Sequence, residues 1–319
     1  MVTVLAVYLS LFVVTATLPV LVSVAAVLDL ARWIRHRTPA MALRILLFGW
    51  LYLFGEGWAI LVLGILGLLP DPSSTSLTYR AQRTWLDWNF VVLRTAFSLT
   101  FVVEGSDTIP PGPILLLSRH ASMIDTMLPG RFVVRPHGIK LRYVLKKELL
   151  VDPALDIGGN RLPNHFIDRS GQSETELAAL RSLAGSLPAD EGVLIYPEGT
   201  RYSEKKRVEY SQRWAAVGGA LGEIASRYRR VLPPRPAGTL ALLDVTSADV
   251  VVLAHRGLEG FATVSDMWTG GLVGGVVELC FWRVPRDRIP EDAEARTEWL
   301  FRLWGEIDSW VVSGQRLGG

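Results

Sequence analysis

The chain has 319 residues, with 33 Lys+Arg against 31 Asp+Glu, five His and a single Cys, Cys280. Hydrophobic residues make up 50%, charged residues 20%, and mean hydropathy is +0.29. These figures exclude a disordered chain, a coiled coil, a disulfide scaffold and a multi-cysteine zinc site, and the near-zero charge gives no whole-protein pull toward nucleic acid. What they leave is a globular protein associated with a membrane.

From Val2 to Leu28 no residue is charged. As a helix rising ~1.5 Å per residue, this run outreaches the ~30 Å hydrocarbon core, and it lacks the basic start and short apolar run of a cleaved signal. We read it as a retained transmembrane helix. Arg32, Arg35, Arg37 and Arg44 come closely after it and mark the cytoplasmic side. The second apolar stretch, Ile45–Leu69, is interrupted by Gly55-Glu56-Gly57. A mid-membrane carboxylate costs ~3 kcal/mol on insertion scales, so Glu56 should face protein or water. Either this stretch spans and leaves the remaining chain outside, or it is a re-entrant or interfacial hairpin bent at the glycines and leaves the remainder in the cytosol.

Residues 1–72 thus form a membrane anchor and residues 73–319 one domain, joined through the Pro70–Thr75 linker. Between about 79 and 100, Trp85, Trp88 and Phe97 alternate with Arg80, Arg83 and Arg94. That composition suits an interfacial helix at the lipid headgroups or an amphipathic helix packed on its own domain.

Six short apolar runs read as buried strands: Thr100–Val103, Ile114–Leu117, Arg142–Leu145, His165–Ile167, Val193–Tyr196 and Val250–Ala254. They alternate with helical stretches, which predicts an α/β fold with a mostly parallel central sheet flanked by helices. In the clearest unit, a strand ending near Asp168 leads to the capping box Ser173-Glu-Thr-Glu176, then to the stripe Leu177, Leu180, Leu183, Leu187, and then to the next strand. Such a crossover makes the two strands parallel and brings their C-terminal ends to one edge, where open α/β sheets bind ligands. Arg169, Arg201 and His120 each stand just past such an end.

The segment Ser118-Arg-His120-Ala-Ser122-Met-Ile-Asp125 has two readings. In one, Ser122-x-x-Asp125 starts a helix, Asp125 caps backbone N–H groups and His120 is a loop residue. In the other, the same turn brings the Asp125 carboxylate to one ring nitrogen of His120 and leaves the other as a proton acceptor. No Gly-x-Ser-x-Gly elbow is present, so such a pair implies direct attack by an activated substrate hydroxyl or water. Arg169 and Arg201 at their strand ends could clamp a phosphate, while Lys205-Lys206-Arg207 reads as a solvated face or an anionic-lipid contact. A metal phosphohydrolase would need further His/Asp/Glu ligands. His36, His137, His165 and His255 lack ligand spacing and read as structural or exposed, His165 being the one nearest a site arginine.

His120-x-x-x-x-Asp125, then Phe166-Ile-Asp-Arg169, then Pro197-Glu-Gly-Thr-Arg201, with Val231-Leu-Pro-Pro-Arg235 as a fourth block, resemble in this order the glycerolipid acyltransferase family of the lysophosphatidate (1-acylglycerol-3-phosphate) type. Val231–Gly238 and the tail Glu298–Trp304 resemble its branch containing lysocardiolipin acyltransferases. The resemblance covers roughly Tyr79–Asp308. It implies His120 as general base and Asp125 as its partner. Arg169 and Arg201 would bind the acceptor's phosphate, with Glu198, Gly199 and Thr200 shaping that site. Pro233 and Pro234 would border the acyl-donor or acyl-chain path; a single Pro before the Arg is commoner in this branch. Lys146 and Lys147 match a basic pair often found before the second block.

The implied reaction is transfer of an acyl group from acyl-CoA or acyl carrier protein, as co-substrate, to the hydroxyl of a lysophosphatidate, giving phosphatidic acid without a cofactor or metal. Lysocardiolipin-like lysophospholipids, glycerol 3-phosphate or a glycolipid are alternative acceptors, and a non-catalytic phospholipid-binding protein is the alternative class. The implied partners are membrane lipids, the lysophospholipid and the donor, with no nucleic acid. Cytosolic thioester donors imply an integral membrane protein with its catalytic domain on the cytoplasmic face.

Overall fold

The computed structural model describes residues 2–69, 73–168, 173–259 and 268–314. Near the end of helix α1 (Val2–His36) the buried Asp29 carboxylate accepts the backbone N–H groups of Met41, Ala42 and Leu43 at 2.9 Å. It thereby caps helix α2 (Ala42–Leu66), whose own N-cap, Met41, has no side-chain acceptor. The two helices pack against each other as a hairpin turned at residues 37–41, and both are long and apolar enough to cross a membrane. These helices are consistent with membrane association.

Two readings left open by the sequence are narrowed here. The chain does not bend at Gly55-Glu56-Gly57; α2 is one continuous helix. Gly55 instead lets the Trp88 indole of helix α3 (Ser73–Phe97) lie against the α2 backbone, since a Cβ would collide with that ring. Trp88 Nε1 then donates to Leu51 O at 2.9 Å. Glu56 is 2% exposed and accepts the N–H of Ala154 at 3.0 Å, so the mid-helix carboxylate does face protein. The second concerns α3, read either as an interfacial helix or as one packed on its own domain. Phe90, Leu93, Ala96 and Phe97 are buried in the domain core, and Leu77, Ala81 and Trp85 pack with α2, so its apolar surface is largely used within the protein.

Seven strands form one sheet in the order β1-β7-β6-β2-β5-β3-β4. They are β1 (Thr100–Glu104), β2 (Ile114–Ser118), β3 (Lys140–Lys146), β4 (His165–Ile167), β5 (Glu191–Ile195), β6 (Asp249–Arg256) and β7 (Val276–Val284). The neighbours β6-β2-β5-β3-β4 are mutually parallel, as the crossovers require, and β7 runs antiparallel to β6 while pairing parallel with β1. All six sequence-read strands are present. β7 is the addition, and its charges explain why an apolar search passes over it. Glu278 pairs with Arg256 at 2.7 Å and Arg283 Nε donates to Asp249 at 2.6 Å, both across the β6–β7 ladder.

β2 is buried on both faces. Ile114 and Leu116 join the core beneath α3 together with Tyr143, Val251 and Phe281. Leu115 and Leu117 join the opposite core with Val193, Val252, Trp282 and the C-terminal helix residues Leu300, Phe301, Trp304 and Ile307. Each fully buried large apolar side chain contributes about 1.5–3 kcal/mol. A strand fixed on both faces cannot slip by one residue without exchanging the two sets. That pins the position of the residues just past its C-terminal end.

Candidate active site

Directly after β2 come Arg119 and His120. Arg119 N–H continues the ladder to Leu253 O at 3.1 Å, so the chain is still in register with β6 one residue before the histidine. The His120 backbone is then held from the loop after β5. Its N–H donates to Glu198 Oε1 at 3.1 Å and its carbonyl accepts Tyr202 N–H at 2.7 Å. Glu198 Oε2 accepts Leu232 N–H at 3.2 Å, so one buried carboxylate ties the first, third and fourth sequence blocks together.

His120 Nδ1 lies 3.0 and 3.2 Å from the two Asp125 oxygens. A carboxylate only accepts, so Nδ1 carries the proton. Nε2 makes no hydrogen bond among the described residues and is the nitrogen left for a reacting group. The ring packs on Tyr196, centroids 4.6 Å apart. Burial alone would push the Asp125 carboxyl up, but the adjacent imidazoles of His120 and His255 outweigh it and hold it well below the usual carboxylate range.

Both sequence readings of Asp125 are therefore realised at once. Its Oδ2 also accepts the N–H groups of Ala121 at 2.7 Å and Ser122 at 2.8 Å. The expected helix start at Ser122 is corrected: a single 3-10 turn begins at Asp125 instead, and Ser122 Oγ accepts Ile124 N–H at 3.2 Å. The reach-back that would close a capping box here closes the loop around the histidine.

The other sequence-assigned residues are placed around this pair. Arg201 is half-buried and immediately precedes Tyr202, so its backbone adjoins His120. Arg169 lies outside the described residues. Glu198 is fully buried with each oxygen engaged by backbone N–H, so it acts as an internal clamp of this loop. Burial pushes it up to about 7, with Arg119 and those two N–H groups drawing part of the shift back. Gly199 has φ +64°, and a Cβ there would press on Arg235 Cδ at 3.1 Å, so glycine suits the turn. Thr200 Oγ1 accepts Lys206 Nζ at 2.9 Å. Pro233 and Pro234 are buried where Arg235 N–H donates to Pro197 O at 2.8 Å.

Arg119 has no reading from the sequence, and Lys206, Arg207 and His165 take partners that their sequence readings do not name. Arg119, fully buried, donates from Nη1 to His255 O at 2.6 Å and Glu259 at 2.8 Å, and from Nη2 to Arg230 O at 2.8 Å. Lys206, in the first turn of the helix Glu204–Val217, reaches back onto the loop, donating also to Arg201 O at 3.1 Å. Arg207 pairs with Glu204 and donates to Tyr228 O at 3.1 Å. His165 pairs with Glu176 at 2.6 Å, and Glu176 also accepts Asp168 N–H at 3.3 Å, steadying the β4 end. The one available signal was positional: His255 lies at the end of β6 as His120 lies just past β2, its parallel neighbour.

Fold and site together define an open α/β protein with a His–Asp pair at the C-terminal edge of its parallel strands. Residues 100–234 match the family described as Acyltransferase. The chain is 29% identical over 155 residues to the 1-acyl-sn-glycerol-3-phosphate acyltransferase of Pseudomonas aeruginosa, covering 46% of this chain and 57% of that protein. It thus spans little over half the length of this curated relative. The crystal structure of the 1-acyl-sn-glycerophosphate (LPA) acyltransferase PlsC from Thermotoga maritima has the same fold, with TM-score 0.58 and 16% identity over 90% of this chain and 100% of that one.

Proposed function

We propose that the protein is a membrane-bound O-acyltransferase that moves a fatty acyl group from acyl-CoA or acyl carrier protein to the free hydroxyl of 1-acylglycerol 3-phosphate, giving phosphatidic acid. The observation that carries this reading is the His120 ring, with Nδ1 engaged by Asp125 and Nε2 unbonded at the sheet edge. His120 Nε2 takes the hydroxyl proton as that oxygen bonds to the thioester carbonyl carbon. The carbon–sulfur bond then breaks and the departing sulfur takes the proton, releasing a thiol. No acyl-enzyme forms. The likeness to a 1-acyl-sn-glycerol-3-phosphate acyltransferase supports the acceptor.

Arg201, with Arg169, is assigned to the acceptor's phosphate. A lost charge-assisted hydrogen bond is worth about 1.5–3 kcal/mol. Arg201→Ala should therefore raise KM for phosphorylated acceptors about 10- to 100-fold with little change in kcat. Initial rates of thiol release, measured over a donor-by-acceptor matrix on purified membranes, check this. An unchanged KM removes Arg201 from the phosphate site. Preference for lysocardiolipin, glycerol 3-phosphate or a glycolipid would reassign the acceptor, and lipid binding without thiol release would favour the non-catalytic reading.

We place the catalytic domain on the cytoplasmic face. One face of α2 is tied to the domain at successive points, Arg44 to Ser98 at 3.2 Å, Tyr52 to Asp152 at 3.0 Å and Glu56 to Ala154 at 3.0 Å. A helix tied to the domain on one face keeps that domain on its own side of the bilayer, which favours an α1–α2 hairpin turned at residues 37–41 in place of one bent at the glycines, with α1 and the outer face of α2 in lipid. A cysteine introduced at Val102, which is exposed, should label from the cytoplasmic side of sealed membranes. Labelling from outside only would reverse this topology.

A further inference from the structure

The strand order seats a second imidazole against the catalytic carboxylate. His255 is completely buried at the end of β6, with Nε2 3.0 Å from Arg119 O and 3.5 Å from Asp125 Oδ2. Both neighbours are acceptors, so Nε2 bears a proton whatever the state of the ring. Nδ1 is buried and has no hydrogen-bond partner among the described residues, where the ring is held through Nε2. That N–H faces two groups on which the dyad depends. Arg119 O belongs to the peptide unit joining Arg119 to His120. Asp125 Oδ2 belongs to the carboxylate that fixes the His120 tautomer.

We propose that His255 is a positioning residue, whose Nε2–H holds the Arg119 carbonyl and backs the Asp125 carboxylate so that His120 is presented in one orientation and one tautomer. Oδ2 already accepts the Ala121 and Ser122 N–H groups. The His255 proton, hydrogen-bonded to Arg119 O at 3.0 Å, also lies near Oδ2, with Nε2 3.5 Å away, and draws part of the carboxylate's charge. The backbone of β6 reinforces the arrangement, because the His255 carbonyl is itself held by Arg119 Nη1. Side chain and carbonyl of one residue thus grip both ends of Arg119. This role rests on His120 acting as the base.

The polar groups facing this cluster are Asp125 from the 3-10 turn, Arg119 after β2, Tyr196 and Glu198 after β5, and Glu259 after β6. Removing the His255 donor leaves these in place and strengthens the pull of Asp125 on a protonated His120. The test uses the full-length protein in nanodiscs with three variants. Gln places an N–H near the Nε2 position, Asn is too short to do so, and Met removes the donor at similar volume. His255→Met and His255→Asn should lower kcat about 10- to 100-fold with acceptor KM within about twofold, and should move the acid limb of the kcat/KM profile to higher pH. His255→Gln should restore most of both. In parallel, carbon-13 histidine NMR tracks the His120 ring titration, which should move upward in the Asn and Met variants and return in Gln.

A normal kcat with an unmoved acid limb in the Asn and Met variants overturns the proposal. So does loss of rate with no change in either titration, since that marks packing alone, and so does a Gln variant as impaired as Met. If wild-type protein transfers no acyl group, the functional reading fails on its own, and the NMR titration still decides whether His255 controls the dyad.

Discussion

Replacing His120 with alanine is expected to lower acyl transfer by about 10²–10⁴-fold, the usual contribution of a positioned general base. The loss should fall on kcat. The ring touches Asp125 and Tyr196 and is assigned to neither substrate's binding, so KM for both should change little. The variant should still fold. The backbone N–H and carbonyl of residue 120 remain held by Glu198 and Tyr202, and Asp125 keeps the Ala121 and Ser122 N–H groups. Thiol release at saturating donor and acceptor, with a melting curve as control, measures this. Turnover within tenfold of wild type in a folded variant would remove His120 from the chemistry.

Glu198→Gln should give the largest change in stability and in its pH dependence. Gln has one acceptor oxygen for the two backbone N–H groups that Glu198 serves, and its amide turns a donor toward the other. An unsatisfied buried donor costs about 1–3 kcal/mol. Glu198 has its pKa raised by burial to about 7, above the ordinary 4.5. The folded state therefore holds a proton that the unfolded chain has released, and this stabilisation is complete below about 4.5 and lost as pH rises through about 7. Gln does not titrate. The margin by which wild type melts above Glu198→Gln should thus be widest near pH 5 and narrow toward pH 8. A margin constant across that range would contradict the raised carboxyl. Activity should fall as well, because His120 and Leu232 lose a common anchor.

Much of the scaffold was legible because its signals are local. Runs such as Ile114-Leu-Leu-Leu117 and Val250-Val-Val-Leu253 contain no charge to interrupt them, as a strand buried on both faces requires. β7 was missed because Glu278 and Arg283 break its run, and their partners Arg256 and Asp249 lie on another strand. The glycines of α2 are legible as a departure from a plain apolar helix, and of the two readings they allow, the bend is not the one the structure takes. The use of Gly55 depends on Trp88, which reaches it only after α3 folds back.

By itself, the sequence determined the α/β class, the five-residue spacing that lets Asp125 reach His120, and the order of the four motif blocks, because each is set within one turn or one strand. Tertiary structure alone decided that Glu198 is a clamp, that Glu56 caps a helix of the domain, and that His255 stands behind Asp125. The physical reason is strand order. Arg119 and His255 are 136 residues apart and meet only because β6 pairs with β2, and a buried polar group takes as partner whatever the neighbouring strand presents, which periodicity along one segment does not encode.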